Sequence, residues 1–240
     1  MVYGLNGCLS ILNCDTCGIE SIILSDEYKD RIVLKYEKLF EKYKNRIKIL
    51  SKNKFNDKYD SRRAQGIAIY FHYNVLTDLN SQTLDKSDAC FVILDSIKDP
   101  QNFGQIIRTS ECAGVNGIII PERRSVNVTN TSLQVSQGAF CNLDIIVSKN
   151  IKYSINELKN NNFWVIGLEN SIDSKNWCDV DMKDKIGFVF GSEGEGMRPI
   201  IKKYCDFLAT IPMFGKVNSL NISATVSAIL FERNRQLLKK

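Results

Sequence analysis

The stretch Phe91-Val92-Ile93-Leu94-Asp95-Ser96-Ile97-Lys98-Asp99-Pro100-Gln101-Asn102-Phe103-Gly104-Gln105-Ile106-Ile107-Arg108 reads as a buried strand, a tight turn and an amphipathic helix in direct succession. Four consecutive apolar residues fit a strand covered on both faces, whereas alternation would mark a strand with one wet face. Asp95 ends the apolar run. Asp99-Pro100 predicts a rigid turn, and Asn102 or a neighbour starts the helix, because Asn and Asp favour caps and Pro fits the first turn. The helix is expected over residues 102–113, with Phe103, Ile106, Ile107 and Ser110 on one face and Gln101, Gln105, Arg108 and Cys112 on the other. Arg108 is then directed away from the core.

The same alternation continues downstream. Apolar runs at 117–120, 145–147, 164–167, 188–190 and 207–210 are separated by helix candidates near 129–138 and 154–161. Strands of this kind predict an α/β fold in which helices cover both faces of a parallel sheet. Upstream, strand candidates at 21–24, 47–50 and 66–71 and a helical spacing over 30–43 predict a smaller α/β unit. Residues 76–88 are polar and lack apolar periodicity, so the expected division is a domain at 1–75, a linker at 76–88 and a second domain at 89–240.

Composition narrows the classes. The chain has 240 residues, 44% of them hydrophobic, enough for a sizeable core, and a formal net charge of +5, compatible with a polyanionic partner. The start has no basic segment followed by an apolar run, and no apolar stretch is long enough to span a bilayer, so a cytoplasmic protein without membrane contact is expected. The eight cysteines form no framework, and the one metal-like spacing, Cys14-Asp15-Thr16-Cys17, has no second pair and only His72 to complete it. Reduced structural thiols and no metal are expected. Asn127-Val128-Thr129, Asn130-Thr131-Ser132 and Asn221-Ile222-Ser223 match the glycosylation pattern by chance.

Two further blocks stand out. Phe188-Val189-Phe190-Gly191-Ser192-Glu193-Gly194-Glu195-Gly196 is a strand entering a glycine-rich turn, where backbone can approach a ligand closely. Its spacing is neither the dinucleotide-binding fingerprint nor a P-loop. Ile211-Pro212-Met213 is an extended segment whose proline withholds a backbone donor, and Ser219-Leu220-Asn221 follows at a helix start. Taken singly, each has a plain reading: a solvated arginine at Arg108, a tight turn at Gly191, core packing for Ile211, Met213 and Leu220, a helix cap at Ser219.

In this order, the three blocks resemble the signature motifs of the SpoU/TrmH family of RNA ribose 2′-O-methyltransferases. Ser136-Gln137-Gly138-Ala139-Phe140 and the closing segment from Ser219 to Arg235 resemble further stretches of that family. The resemblance implies a catalytic domain with a parallel sheet and a deep trefoil knot, S-adenosylmethionine as cofactor, an RNA substrate and a homodimer. It places Arg108 as the catalytic arginine with Asn102 as companion, Glu193 as an orienting acid, and Ser219 and Asn221 in the catalytic pocket. Gly191, Ile211, Met213 and Leu220 fall at the cofactor.

The segments Val2-Tyr3-Gly4-Leu5-Asn6 and Ala64-Gln65-Gly66-Ile67-Ala68 resemble a substrate-binding domain like ribosomal protein L30e, found in the branch that methylates a guanosine ribose of large-subunit ribosomal RNA. Ala64 stands where that branch usually carries His. A transfer-RNA substrate and a non-catalytic RNA-binding or assembly factor are the alternatives. A ribose hydroxyl is a poor nucleophile, so the reaction needs proton removal or alkoxide stabilisation together with alignment. An arginine is normally protonated, which makes phosphate clamping and electrostatic stabilisation the easier role for Arg108, although the family proposal is that it takes the proton.

Overall fold

The computed structural model describes residues 1–171 and 174–238, so the last two residues of the expected second domain lie outside it. The chain divides into two compact units, one of residues 1–74 with 129–142 and the other of residues 75–128 with 143–238.

The first unit holds a four-stranded mixed sheet of β1 (Val2–Tyr3), β2 (Cys17–Ser25), β3 (Ile47–Leu50) and β4 (Ile67–Tyr73), ordered β1-β4-β2-β3. β4 runs antiparallel to β1 and β2, and β3 runs parallel to β2. The single helix expected over 30–43 is two short ones, Lys29–Lys35 and Glu37–Glu41, because Tyr36 leaves helical geometry (φ −126°, ψ 33°). The helix Leu5–Leu12 buries Cys8, Ile11 and Leu12, a periodicity not singled out in the sequence.

The segment 129–142 packs here rather than in the second unit. Gln134 Nε2 donates to Tyr3 O at 2.9 Å and Tyr3 N donates back to Gln134 Oε1 at 2.8 Å. Phe140 stacks on Phe71 at 5.8 Å between centroids and meets Tyr73 edge-on at 5.0 Å. A domain boundary drawn from one contiguous polar stretch does not capture a segment that leaves and returns.

The second unit is built on a seven-stranded sheet of β5 (Cys90–Leu94), β6 (Gly117–Pro121), β7 (Asp144–Ser148), β8 (Trp164–Leu168), β9 (Lys175–Asn176), β10 (Ile186–Phe190) and β11 (Phe207–Thr210). The order is β7-β6-β5-β10-β8-β11-β9, and each neighbouring pair is parallel. β5 and β10 are buried at all five positions, as expected for strands covered on both faces. Phe91, Ile93, Ile119, Ile155, Leu158 and Val189 belong to one continuous core, and each such side chain contributes about 1.5–3 kcal/mol by leaving water.

The stretch expected to be a linker belongs to this unit. Leu76 N donates to Ile145 O at 2.9 Å, Val147 N donates to Leu76 O at 2.8 Å, and the helix Ser81–Leu84 buries Leu84.

Chain order along the sheet reverses beside β5. The path β5, β6, β7 runs toward one edge, and the chain then crosses to β8 on the other side. In a parallel sheet, this reversal leaves a crevice at the carboxyl ends of the strands. Leu94, Phe190 and Leu168 lie in register, with Ala209 beside Leu168, so the loops following four strands emerge along one edge.

Candidate active site

The helix after β5 begins as its residues dictate. Asp99 is the cap, accepting from Gln101 N at 2.9 Å and Asn102 N at 3.3 Å, and Pro100 fills the first turn, where no backbone donor is needed. The helix Pro100–Cys112 therefore starts two residues earlier than expected. Its faces are as predicted: Phe103, Ile106, Ile107 and Ser110 are buried, and Gln101, Gln105, Arg108 and Cys112 are exposed.

Asp95, at the end of β5, is fully buried. It accepts from Arg198 N at 2.9 Å and Arg198 Nε at 2.8 Å, with Arg198 Nη2 2.7 Å away. Its own N–H donates to Phe190 O at 2.7 Å. The first turn is thereby tied to the segment that follows the glycine-rich loop. Removing the Arg198 side chain leaves a buried carboxylate without its counter-charge, which is destabilising.

The glycine-rich loop closes on itself. Ser192 N donates to Gly196 O at 3.1 Å and Gly196 N donates to Ser192 O at 3.0 Å. Gly191 is the tightest point, since a Cβ there would lie 2.1 Å from Gly196 C and from Met197 N. No side chain fits unless this backbone moves. Glu169, just beyond β8, supports the loop from the other side: its Oε2 accepts from Met197 N at 3.5 Å and its Oε1 pairs with Lys202 Nζ at 3.0 Å.

The three sequence blocks meet at one atom. Glu193 Oε1 accepts from Asn102 Nδ2 at 2.8 Å, Asn221 Nδ2 at 3.1 Å and Ile222 N at 3.5 Å. Asn221 Nδ2 also donates to Asn102 Oδ1 at 3.1 Å. The carboxylate sits at the N-terminus of the helix Ile222–Leu237, where unpaired N–H groups favour negative charge. Asn221, not Ser219, caps that helix, its Oδ1 accepting from Ser223 N at 2.9 Å. Ser223 Oγ lies 2.6 Å from Asn221 Oδ1 and 2.7 Å from Gln105 Oε1, so one hydroxyl proton serves two acceptors.

A cavity of about 680 Å³ adjoins this network, and Gly191, Glu193, Ile211, Met213, Ser219, Leu220 and Asn221 all line it. The structure thus brings together every expected cofactor residue and three of the five expected catalytic residues. Asn102 reaches them through its hydrogen bonds. Arg108 stands apart: it is exposed on the outer face of the motif helix and makes none of the bonds that join Asn102, Glu193 and Asn221.

Glu169, Arg198, Gln105 and Ser223 complete the site without having been singled out from sequence. For Ser223 a signal existed, since Asn221-Ile222-Ser223 is a helix-capping pattern as well as a glycosylation pattern. Glu169 and Arg198 carry no local signal.

Residues 89–231 match the family model described as the SpoU rRNA Methylase family. The chain belongs to this family. A Staphylococcus saprophyticus protein named for the TrmH family of tRNA/rRNA methyltransferases is 35% identical over 218 residues, covering 89% of this chain and 87% of the relative. Two solved structures share the fold. The SpoU methyltransferase AviRb from Streptomyces viridochromogenes, in complex with AdoMet, superposes with a TM-score of 0.82 at 18% identity over 100% of this chain and 90% of that one. The AdoMet-bound rRNA methyltransferase from Sinorhizobium meliloti superposes with a TM-score of 0.78 at 20% identity over 98% and 87%. SpoU membership agrees with the α/β fold and parallel sheet expected from the sequence. Among the described residues no helix is long and apolar enough to cross a membrane.

Proposed function

We propose that this SpoU-family chain is a cytoplasmic S-adenosylmethionine-dependent RNA methyltransferase acting on a ribose 2′-hydroxyl, with a guanosine of large-subunit ribosomal RNA as target. The observation that carries the reading is the convergence of Asn102, Glu193 and Asn221 on one carboxylate oxygen beside the cavity. Residues this far apart in sequence meet in one hydrogen-bonded set where a reaction centre is assembled.

The cavity suits the cofactor on its own chemistry. Its volume of about 680 Å³ lies within the range of small-molecule sites. Ile211, Met213 and Leu220 supply apolar surface for a flat base, and Gly191 lets the loop that lines the cavity fold more tightly than any Cβ allows. When bound, S-adenosylmethionine supplies the electrophilic methyl group.

The chain's own residues do the rest. Glu193 holds the glycine-rich loop, the motif helix and the start of the last helix in one geometry, which sets the alignment that displacement requires. Asn102 and Asn221 orient that carboxylate, and Ser219 lines the cavity within the same segment. Arg108 presents its guanidinium to solvent, free to grip an RNA phosphate and to stabilise charge developing on the ribose oxygen.

Exposed Arg62, Arg63, Lys35, Lys38, Lys42 and Lys48 support an RNA-binding role for the first unit, like the L30e-type domain. Phe214 at 99% and Val217 at 73% exposure support a homodimer, since apolar side chains of this size favour a covered surface.

The test is transfer of label from tritiated S-adenosylmethionine to undermodified large-subunit ribosomal RNA and to transfer RNA, followed by mapping of alkali-resistant ribose. Label at a ribose of ribosomal RNA is the expected result. Label on transfer RNA overturns the target, alkali-sensitive label overturns the 2′-O position, and absence of cofactor binding turns the reading toward a non-catalytic RNA-binding factor.

A further inference from the structure

Away from the candidate active site, the first unit gathers three cysteines that the sequence leaves scattered. The Sγ atoms of Cys14, Cys17 and Cys141 all lie within 4.8 Å of one another. Cys14 and Cys17 meet because Asn13 ends the helix Leu5–Leu12 and the chain turns at once into β2, with Cys17 N donating to Cys14 O at 3.3 Å. Cys141 arrives from 127 positions beyond Cys14, at the end of the short 3-10 turn Ala139–Cys141.

Its placement is enforced from two sides. Tyr73 is paired with Cys17 across β4 and β2, and its hydroxyl donates to Phe140 O at 3.3 Å, which fixes the residue before Cys141. Cys14 and Cys17 are 8% and 7% exposed, and Cys141 is partly exposed, so the group lies just beneath the surface. Cys8 is also buried in this unit but takes no part, its Sγ facing Val2 O and Ile67 O.

We infer that Cys14, Cys17 and Cys141 form a binding site for a thiophilic divalent cation, zinc, which staples the returning segment 129–142 to the start of β2. Zinc–thiolate bonds of about 2.3 Å at tetrahedral angles put sulfurs about 3.8 Å apart, so the cluster closes around an ion with shifts of less than about 1 Å. Three sulfur ligands select a soft or borderline ion over magnesium or calcium. On binding, each thiol releases its proton to solvent and each thiolate donates one electron pair to the metal, leaving a site of net charge −1. With three protein ligands and Cys141 partly exposed, the fourth position falls to water. The lone Cys14-x-x-Cys17 spacing seen in the sequence is thus half of a site whose remaining protein ligand only the fold supplies. Such a cross-link acts on stability, because it closes a long loop that the unfolded chain leaves open.

The test uses the full chain, purified under reducing conditions and stripped with a chelator. Titration with zinc alone is expected to show one equivalent bound at or below micromolar concentration, with a rise in Tm of at least about 5 °C. Cobalt(II) in its place should give the sulfur-to-metal charge-transfer absorption of a thiolate site. Cys14→Ser, Cys17→Ser and Cys141→Ser should each abolish that band, and Cys178→Ser, at an exposed thiol elsewhere, should leave it intact.

Should a variant fail to fold, alkylation of the wild-type chain mapped by peptide mass replaces it: zinc should protect Cys14, Cys17 and Cys141 and leave Cys178 reactive. Absence of stoichiometric binding, protection of other cysteines, or a disulfide joining two of the three after reducing purification would overturn the site. Methyl transfer is measured separately, so failure here leaves the proposed activity standing, and the reverse holds as well.

Discussion

The two sheets handle distant residues differently. In the seven-stranded sheet every neighbouring pair is parallel, and the strand ends Leu94, Leu168 and Phe190 lie in register with Ala209, one residue before the end of β11, so the chain's next residues gather at one end of the sheet. Asp95, Glu169, Gly191 and the segment from Ile211 become neighbours as a consequence of strand direction. In the four-stranded sheet β1, β2 and β3 share one direction and only β4 runs against them, so the chain leaves β4 at the end where β2 begins. The three thiols beside this sheet required a segment returning from beyond position 128. In the parallel sheet strand direction alone gathers the segments of the candidate site, whereas the thiols at the start of β2 are completed only by a separate excursion of the chain.

The contrast predicts that damage at the parallel sheet's edge reads out in activity and damage in the mixed sheet reads out in stability. The largest effect is expected for Arg108→Ala. Losing an electrostatic stabiliser should lower single-turnover methyl transfer by about 100- to 1000-fold, while calorimetric cofactor affinity stays within about threefold of wild type; an unchanged rate removes Arg108 from the reaction.

Next comes Gly191→Ala, whose Cβ would sit 2.1 Å from loop backbone. Cofactor affinity should weaken by about 100-fold, near 2.7 kcal/mol, and normal affinity would show that the cavity is not the cofactor site.

A mixed-sheet counterpart is Gly66→Ala. Gly66 has φ +78° and a Cβ there would lie 2.6 Å from Tyr28 Cβ. Strain and collision should cost about 1–3 kcal/mol, visible in urea unfolding, with cofactor affinity unchanged; a loss of affinity at constant stability would break the division of roles.

The smallest effect belongs to Asp99→Ala. It removes the acceptors for Gln101 N and Asn102 N and should cost about 1 kcal/mol, with a fall in methyl transfer below tenfold because Asn102 remains held by Glu193 and Asn221.

Much of this molecule follows from the sequence alone. Uninterrupted apolar runs fit strands buried on both faces, and their alternation with helical segments points to a helix-covered parallel sheet. The two faces of Pro100–Cys112 follow from helical spacing, but its start lies two residues before the expected one, at the proline that the sequence assigns to a turn. Four of the nine expected site residues, Gly191, Ile211, Met213 and Leu220, read as packing or turn residues by themselves and stood out only as parts of ordered blocks.

Tertiary structure decided what local pattern does not encode. The return of 129–142 to the first unit rests on Gln134 bonding Tyr3 and on Phe140 packing against Phe71 and Tyr73, interactions between residues more than sixty positions apart. The pairing of Asp95 with Arg198, the support of the glycine-rich loop by Glu169, and the meeting of Asn102, Glu193 and Asn221 have the same origin. So does the union of Cys141 with Cys14 and Cys17. Short-range periodicity reports which face of an element is apolar. Which polar residues come to share a hydrogen bond depends on strand order and register, and those are settled only when the whole sheet closes its core.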